Sequence, residues 1–234
     1  GAIYGETCYV ENSTYTANTA NMNGGAIYTE NSISNITNST FNENIASNGG
    51  AIYAYDNLTV DKSVFDKNKA TSQNDLSQGS AIFAVGDDAQ ILINNTEIKN
   101  GESQRAAVYI WTSNAIIDNT NFTNNKASEN GGALYVNGTF TDNVIGNSEF
   151  IGNTAVKNGG AVYIYSSASE NIFENLTFSN NKAKNNDGGA INFRMETSKT
   201  SFSNVTFFKN SAGGSGGAVN TDHNVNDENN YVNV

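Results

Sequence analysis

Apolar residues in this chain do not recur at the three-and-four spacing of an amphipathic helix. They come in short alternating runs, such as Leu58-Thr59-Val60, Ile91-Leu92-Ile93 and Ile172-Phe173, broken every few residues by Asn, Asp or Gly. Alternation at period two in Val, Ile, Phe, Tyr and Thr predicts short strands with one side turned inward. The breaks carry residues that accept positive φ and bond back to their own backbone, so they predict tight corners.

The runs themselves repeat. Gly-Gly-Ala-aliphatic-Tyr stands at 24–28, 49–53, 131–135 and 159–163, and with its looser copies the anchoring Ala falls at 2, 26, 51, 81, 107, 133, 161, 190 and 218. A second motif, Phe-x-x-Asn-x-Ala, starts at Phe41, Phe65, Phe122, Phe150, Phe178 and Phe207, with Tyr15 in an earlier copy and Ile98 in the Phe position of one degenerate coil. A period of about 24 to 30 residues along the whole chain predicts a solenoid. Three short strands per period suit one turn of a parallel β-helix. The expectation is an all-β solenoid of about nine coils, one domain over residues 1–234, roughly 40 Å long at ~4.8 Å per coil. Both motifs are lost around Ile98-Lys99-Asn100-Gly101 and Arg105-Ala106-Ala107, where the register is expected to bulge.

Position within the motifs sorts the side chains. The Phe row is expected to stack in the core. Asn12, Asn38, Asn95, Asn119, Asn147, Asn175 and Asn204 stand three residues before it, and Asn18, Asn44, Asn68, Asn125, Asn153, Asn181 and Asn210 three after. Both rows read as inward amide ladders at corners, each Asn bonding to those above and below. In the first strand the aliphatic row from Ile3 to Val219 points inward, so the next row, Tyr4, Tyr28, Tyr53, Phe83, Tyr109, Tyr135 and Tyr163, points outward. Tyr55, Trp111 and Tyr165 lie two residues further on, on the same side. This aromatic face reads either as stacking between coils or as a surface for glycan or protein contact. Tyr53, Tyr55, Tyr109, Trp111, Tyr135, Tyr163 and Tyr165 are the candidate binding residues.

Composition narrows the partners. The net charge of −11 and pI near 4.4 oppose nucleic acid and anionic lipid. No apolar run reaches the roughly 20 residues of a membrane helix, so no membrane contact by this segment is expected. The chain opens and stops inside repeats, so it reads as a fragment of a longer protein whose flanking coils would pack on both ends. The single cysteine, Cys8, is expected to be a buried apolar residue.

Candidate reactive groups are sparse. Asp87-Asp88 after Gly86 reads as a turn, and Asp56, Asp61 and Asp66, interspersed with Lys62 and Lys67, read as a solvated face. Arg105 and Arg194 lie several coils apart. His223 sits in a polar tail with Asp222, Asp227 and Glu228 and reads as a solvated residue. No zinc spacing, phosphate loop or nucleophile elbow occurs, and Gly-Gly-Ala lacks both the Asp and the nonapeptide period of calcium β-rolls. No enzymatic activity, metal or cofactor is expected. The alternative is a carbohydrate-active β-helix enzyme, lyase- or glycoside-hydrolase-like, or its substrate-binding shaft, which would need convergent acids near a base.

The alternating Gly-Gly-Ala-Ile and Phe-x-x-Asn motifs resemble the repeats of chlamydial polymorphic outer-membrane proteins and of adhesin-like surface proteins of methanogenic archaea. The Asn-, Ile- and Lys-rich, Pro-free composition leans toward the archaeal relatives. The resemblance implies a right-handed, extracellular, cell-surface β-helix serving as an adhesin stalk, with a glycan or surface protein of another cell as partner. Asn-x-Ser/Thr sequons occur at Asn12, Asn35, Asn38, Asn57, Asn94, Asn121, Asn137, Asn175 and Asn204. Those at Asn12, Asn38, Asn175 and Asn204 coincide with a predicted inward ladder, leaving Asn57 and Asn137 as the candidate glycosylation sites.

Overall fold

A computed structural model describes residues 1–30, 33–72, 77–112, 114–138, 140–222 and 230–232. All described regular structure is strand, and every strand pairing is parallel. The chain winds as a β-solenoid in which each repeat stacks in register on the next.

One turn shows the plan. Ile52–Tyr55 forms the first face, Leu58–Asp61 the second, Val64–Asp66 the third and Lys69–Ala70 a short fourth. This turn holds four strand segments, one more than the three expected. The additional piece is the Lys69–Ala70 type of segment, two residues long and too short to show alternation. Later turns add another two-residue piece ahead of the second face, Phe140–Thr141, Ala168–Ser169 and Thr197–Ser198. Nine strands stack on the first face, from Ile3–Gly5 to Val219–Thr221, and enclose eight full turns instead of nine coils. At ~4.8 Å per strand the stack rises about 38 Å.

Three columns of left-handed residues make the corners. Between the second and third faces stand Asn12, Asn38, Lys62, Asn95, Asn119, Asn147, Asn175 and Asn204, with φ from 44° to 54°. Between the third and fourth stand Ala17, Glu43, Lys67, Asn100, Asn124, Gly152, Asn180 and Lys209. The first glycine of each Gly-Gly pair turns the chain back onto the first face. Its two glycines are required for different reasons. Gly49 has φ +60°, and a Cβ there would strike the Ile52 carbonyl. Gly50 has ordinary dihedrals, but a Cβ would strike the Ser80 carbonyl of the next coil.

The core is one column of stacked like residues. Phe41 and Phe65 stack at 4.7 Å between ring centroids, as do Phe122 with Phe150 and Phe150 with Phe178; Ile98 interrupts the pile between Phe65 and Phe122. The aliphatic row of the first face lines the opposite wall, and Cys8 joins the core with its thiol pKa pushed up by burial. The degenerate coil keeps its register, contrary to the expected bulge. Ile98 pairs with both Phe65 and Phe122, and Ile82 with both Ile52 and Val108. Two complementary changes allow this. Gly101 takes the Asn place of the motif, and Ser80 takes the second Gly place. A Cβ on Gly101 would strike the Ser80 hydroxyl, so the side chain lost at one position is regained at the other.

Candidate functional site

The two asparagine rows part company. Asn44, Asn68, Asn125, Asn153 and Asn181 are fully buried. Asn153 Oδ1 accepts from the Asn125 amide and from Asn125 Nδ2, both at 3.0 Å, while Asn153 Nδ2 donates to the Phe122 carbonyl at 2.9 Å and to Asn181 Oδ1 at 3.1 Å. This row is the expected ladder. The other row is exposed along its whole length, because each of its Asn residues occupies the left-handed corner itself. Its amides still bond coil to coil, as Asn175 Nδ2 to Asn147 Oδ1 at 3.1 Å and Asn204 Nδ2 to Asn175 Oδ1 at 2.9 Å.

A different row fills that corner from inside. Ser39, Ser63, Thr96, Thr120 and Ser148 are buried, and each hydroxyl donates to the carbonyl two residues back. They also accept from amides of the preceding coil, as Ser39 N–H to Ser63 Oγ at 3.2 Å. The sequence signal was the Ser or Thr directly after each corner residue, Asn38, Lys62, Asn95, Asn119 and Asn147. Where Leu176 and Val205 replace it, the two strands merge into the continuous Ile172–Ser179 and Ser201–Phe208.

The sequon expectation is therefore corrected. Asn12, Asn38, Asn175 and Asn204 are exposed, whereas Asn57 and Asn137 are half-buried. Asn57 Oδ1 accepts the Gln90 amide at 2.7 Å, and Asn137 hydrogen-bonds the Tyr109 side chain.

The aromatic face also divides. All seven rings of the inner row point away from the main core, as alternation requires, but Tyr109 is only 1% exposed, and Phe83, Tyr135 and Tyr163 are buried as well. They form a second cluster with Ala106, and half-buried Tyr53 and Val85 pack against it. Consecutive centroids lie 4.9 to 5.0 Å apart from Tyr53 to Tyr163. The Arg105 guanidinium lies 5.3 Å from the Tyr135 ring centre and pairs with Glu129 at 3.3 Å. Burial pushes the hydroxyls of Tyr109 and Tyr163 up to about 12. Tyr53, Tyr109, Tyr135 and Tyr163 thus act first as packing. At the far end of the row the tyrosines give way to a stacked pair of amides, Asn220 Nδ2 donating to Asn192 Oδ1 at 2.9 Å.

The outer row is open. Tyr55 is 44% exposed, Trp111 51% and Tyr165 44%. Val85 stands between Tyr55 and Trp111, so the rings fall on every second coil. That spacing is about 9.6 Å, two strand separations. Tyr165 lies 6.5 Å from both Tyr135 and Tyr163 of the buried stack. The result is an edge of exposed rings along the first face.

The acidic candidates do different work. Asp61 takes a hydrogen bond from Asn95 and lies 3.6 Å from Lys62, Asp66 accepts from Asn100, and Asp56 Oδ1 accepts the Asn57 amide. Asp87 and Asp88 are exposed in a turn. Arg194 pairs with Asp222 at 3.4 Å. His223, Asp227 and Glu228 lie outside the described residues. Among the described residues no group of three or more His, Cys, Asp or Glu is arranged to hold a metal ion.

The repeats have counterparts elsewhere. Residues 38–55, 119–137, 137–165, 175–194 and 204–222 match the Chlamydia polymorphic membrane protein repeat. The chain is also 32% identical over 154 residues to the probable autotransporter YfaL of Escherichia coli strain K12, an alignment covering 58% of this chain and 11% of that protein. No solved structure matches it. Five stretches of the solenoid are therefore repeats of the Chlamydia polymorphic membrane protein type, and the chain is similar to part of an autotransporter.

Proposed function

We propose that this chain is a segment of an extracellular surface adhesin. It serves as a rigid shaft whose outer aromatic edge contacts glycans or proteins of another cell, without catalysis. The repeat type and the autotransporter relative support display at the outer membrane or cell surface. The observation that carries the binding role is the row Tyr55, Trp111 and Tyr165, exposed on alternate coils of a wall whose strands stack in register. Exposed rings offer apolar faces to sugar rings or side chains at little entropic cost. Repetition along a stiff rod adds avidity to weak single contacts.

Trp111→Ser combined with Tyr165→Ser tests this. Adhesion to cells or to a glycan array should fall, with the thermal midpoint moving by no more than about 3 °C. Unchanged adhesion would overturn the reading. Tyr109→Ser is the structural contrast: it should lower the midpoint sharply, because it opens the buried stack.

A further inference from the structure

The fourth face carries a charge pattern opposite to that of the molecule. A groove of about 790 Å³ runs along the corner between the third and fourth faces, lined by Glu43, Lys67, Lys69, Glu102, Lys126 and neighbouring corner backbone. From this corner through the fourth face and its connection back to the first, eight cations (Lys67, Lys69, Arg105, Lys126, Lys157, Lys182, Lys184 and Lys209) stand against Glu43, Glu102, Glu129 and Asp187 among the described residues. The other described residues hold sixteen carboxylates against four cations. At physiological salt, charges more than about 8 Å away are screened, so a ligand in the groove responds to this local excess and not to the net −11.

The lysines are spaced as well as gathered. Strand pairing lines up Ile45, Lys69, Glu102, Lys126, Thr154, Lys182 and Ser211 as one outward row. Lys69, Lys126 and Lys182 therefore recur on every second coil, about 9.6 Å apart. That repeat is comparable to the length of an extended disaccharide. The coils between them offer a carboxylate, Glu102, or a hydroxyl, Thr154, which disfavours a polymer charged at every residue. Glu102 lies 3.0 Å from Lys69 and 3.7 Å from Lys126, and Lys69 holds its carboxyl below the usual range. Such exposed pairs are weak and exchange readily with a ligand anion.

We propose that this groove, together with the lysine row that continues past its end to Lys182, binds an extended acidic polysaccharide with one carboxylate per disaccharide, each carboxylate pairing with Lys69, Lys126 or Lys182. Glu102 then acts as an internal competitor for two of the three lysines. The inference is independent of the aromatic edge, which lies on another face.

Hyaluronan decasaccharide is the probe, with a neutral chitin oligosaccharide of equal length and an oligogalacturonate, charged on every sugar, as comparisons. Hyaluronan should bind most tightly of the three, and its affinity should fall as salt rises. Lys69→Gln, Lys126→Gln and Lys182→Gln together should weaken it by roughly tenfold or more. Glu102→Gln should tighten it, an effect that damage to the fold would not produce. Trp111→Ser with Tyr165→Ser should leave it unchanged, so failure here is distinguishable from failure of the adhesin reading. Equal binding of the neutral oligosaccharide, tighter binding of oligogalacturonate, or an equal loss from Lys62→Gln with Lys199→Gln on other faces would overturn the proposal. Weaker binding by Glu102→Gln would overturn it too.

Discussion

Two rows of asparagine run the length of this rod, each three residues from the same Phe, yet one lies inside the wall and the other outside. The difference is one of parity at the corners. After Phe41 the chain points Asn42 outward and spends Glu43 on a left-handed turn, so Asn44 comes inward out of step with simple alternation. Before Phe41 the left-handed residue is Asn38 itself, and its side chain is left in solvent while Ser39 turns in. Both rows form coil-to-coil amide ladders. Only the inner one has no water to replace a lost partner.

Removing one inner amide should therefore have the largest effect. Asn153→Ala removes the partner of the Asn125 backbone amide and of one side-chain N–H of Asn125, whose other N–H still donates to the Ile98 carbonyl, and takes a donor from the Phe122 carbonyl, all of them buried. At about 1 to 3 kcal/mol per orphaned group, the loss should be on the order of 3 to 5 kcal/mol by denaturant unfolding. A loss below about 1 kcal/mol would mean that the ladder adds nothing beyond filling space.

The same inside–outside division predicts a pH effect among the tyrosines. Tyr109 and Tyr163 ionise near pH 10 in the unfolded chain and at about 12 in the folded one. Their raised folded pKa means that stabilisation is complete below pH 10 and lost as pH rises from 10 to 12, on the order of 2 to 3 kcal/mol per tyrosine. An alkaline titration of the thermal midpoint checks this. In Tyr109→Phe the slope above pH 10 should be shallower.

The interrupted coil offers a way to extend the inner ladder. Gly101→Asn alone should destabilise by about 1 to 3 kcal/mol, because its side chain meets Ser80. Adding Ser80→Gly should recover most of that loss and complete the run from Asn68 to Asn125, giving a coupling of at least about 1 kcal/mol in a double-mutant cycle. Additive losses would show that the two departures from the motif are unrelated.

The outer ladder should respond least. Asn147→Gly keeps a residue suited to the left-handed corner and removes only exposed hydrogen bonds to Asp118 and Asn175. Its effect should stay within about 0.5 kcal/mol. A larger loss would show that the exposed ladder stiffens the corner.

Much of this architecture was legible residue by residue. The paired motifs announce the solenoid, the Phe and aliphatic rows identify the core, and Gly and Asn mark where the chain must turn. The candidate site was legible only in part. Alternation correctly sent Tyr109 and Trp111 to the same side of the strand, but it carries no information on what covers that side. Tyr109 is enclosed by its stacked neighbours and by the corner at Arg105-Ala106, while Trp111, two residues on, lies beyond their reach. The buried Ser39–Ser148 row was not legible because single hydroxyl residues beside polar corner residues show no apolar alternation.

Local pattern determines what a residue does within its own coil: extended or turning, apolar or polar, needing a Cβ or forbidding one. Repetition of the motif then forces those choices into columns, because a parallel strand pairs in register with its copy one turn away. What the tertiary structure alone decided is parity and neighbourhood. A single left-handed residue at a corner sets which side of the wall each later side chain faces. Stacking sets which outward rows are covered, and it brings lysines some 60 residues apart in sequence to within two strand spacings of each other.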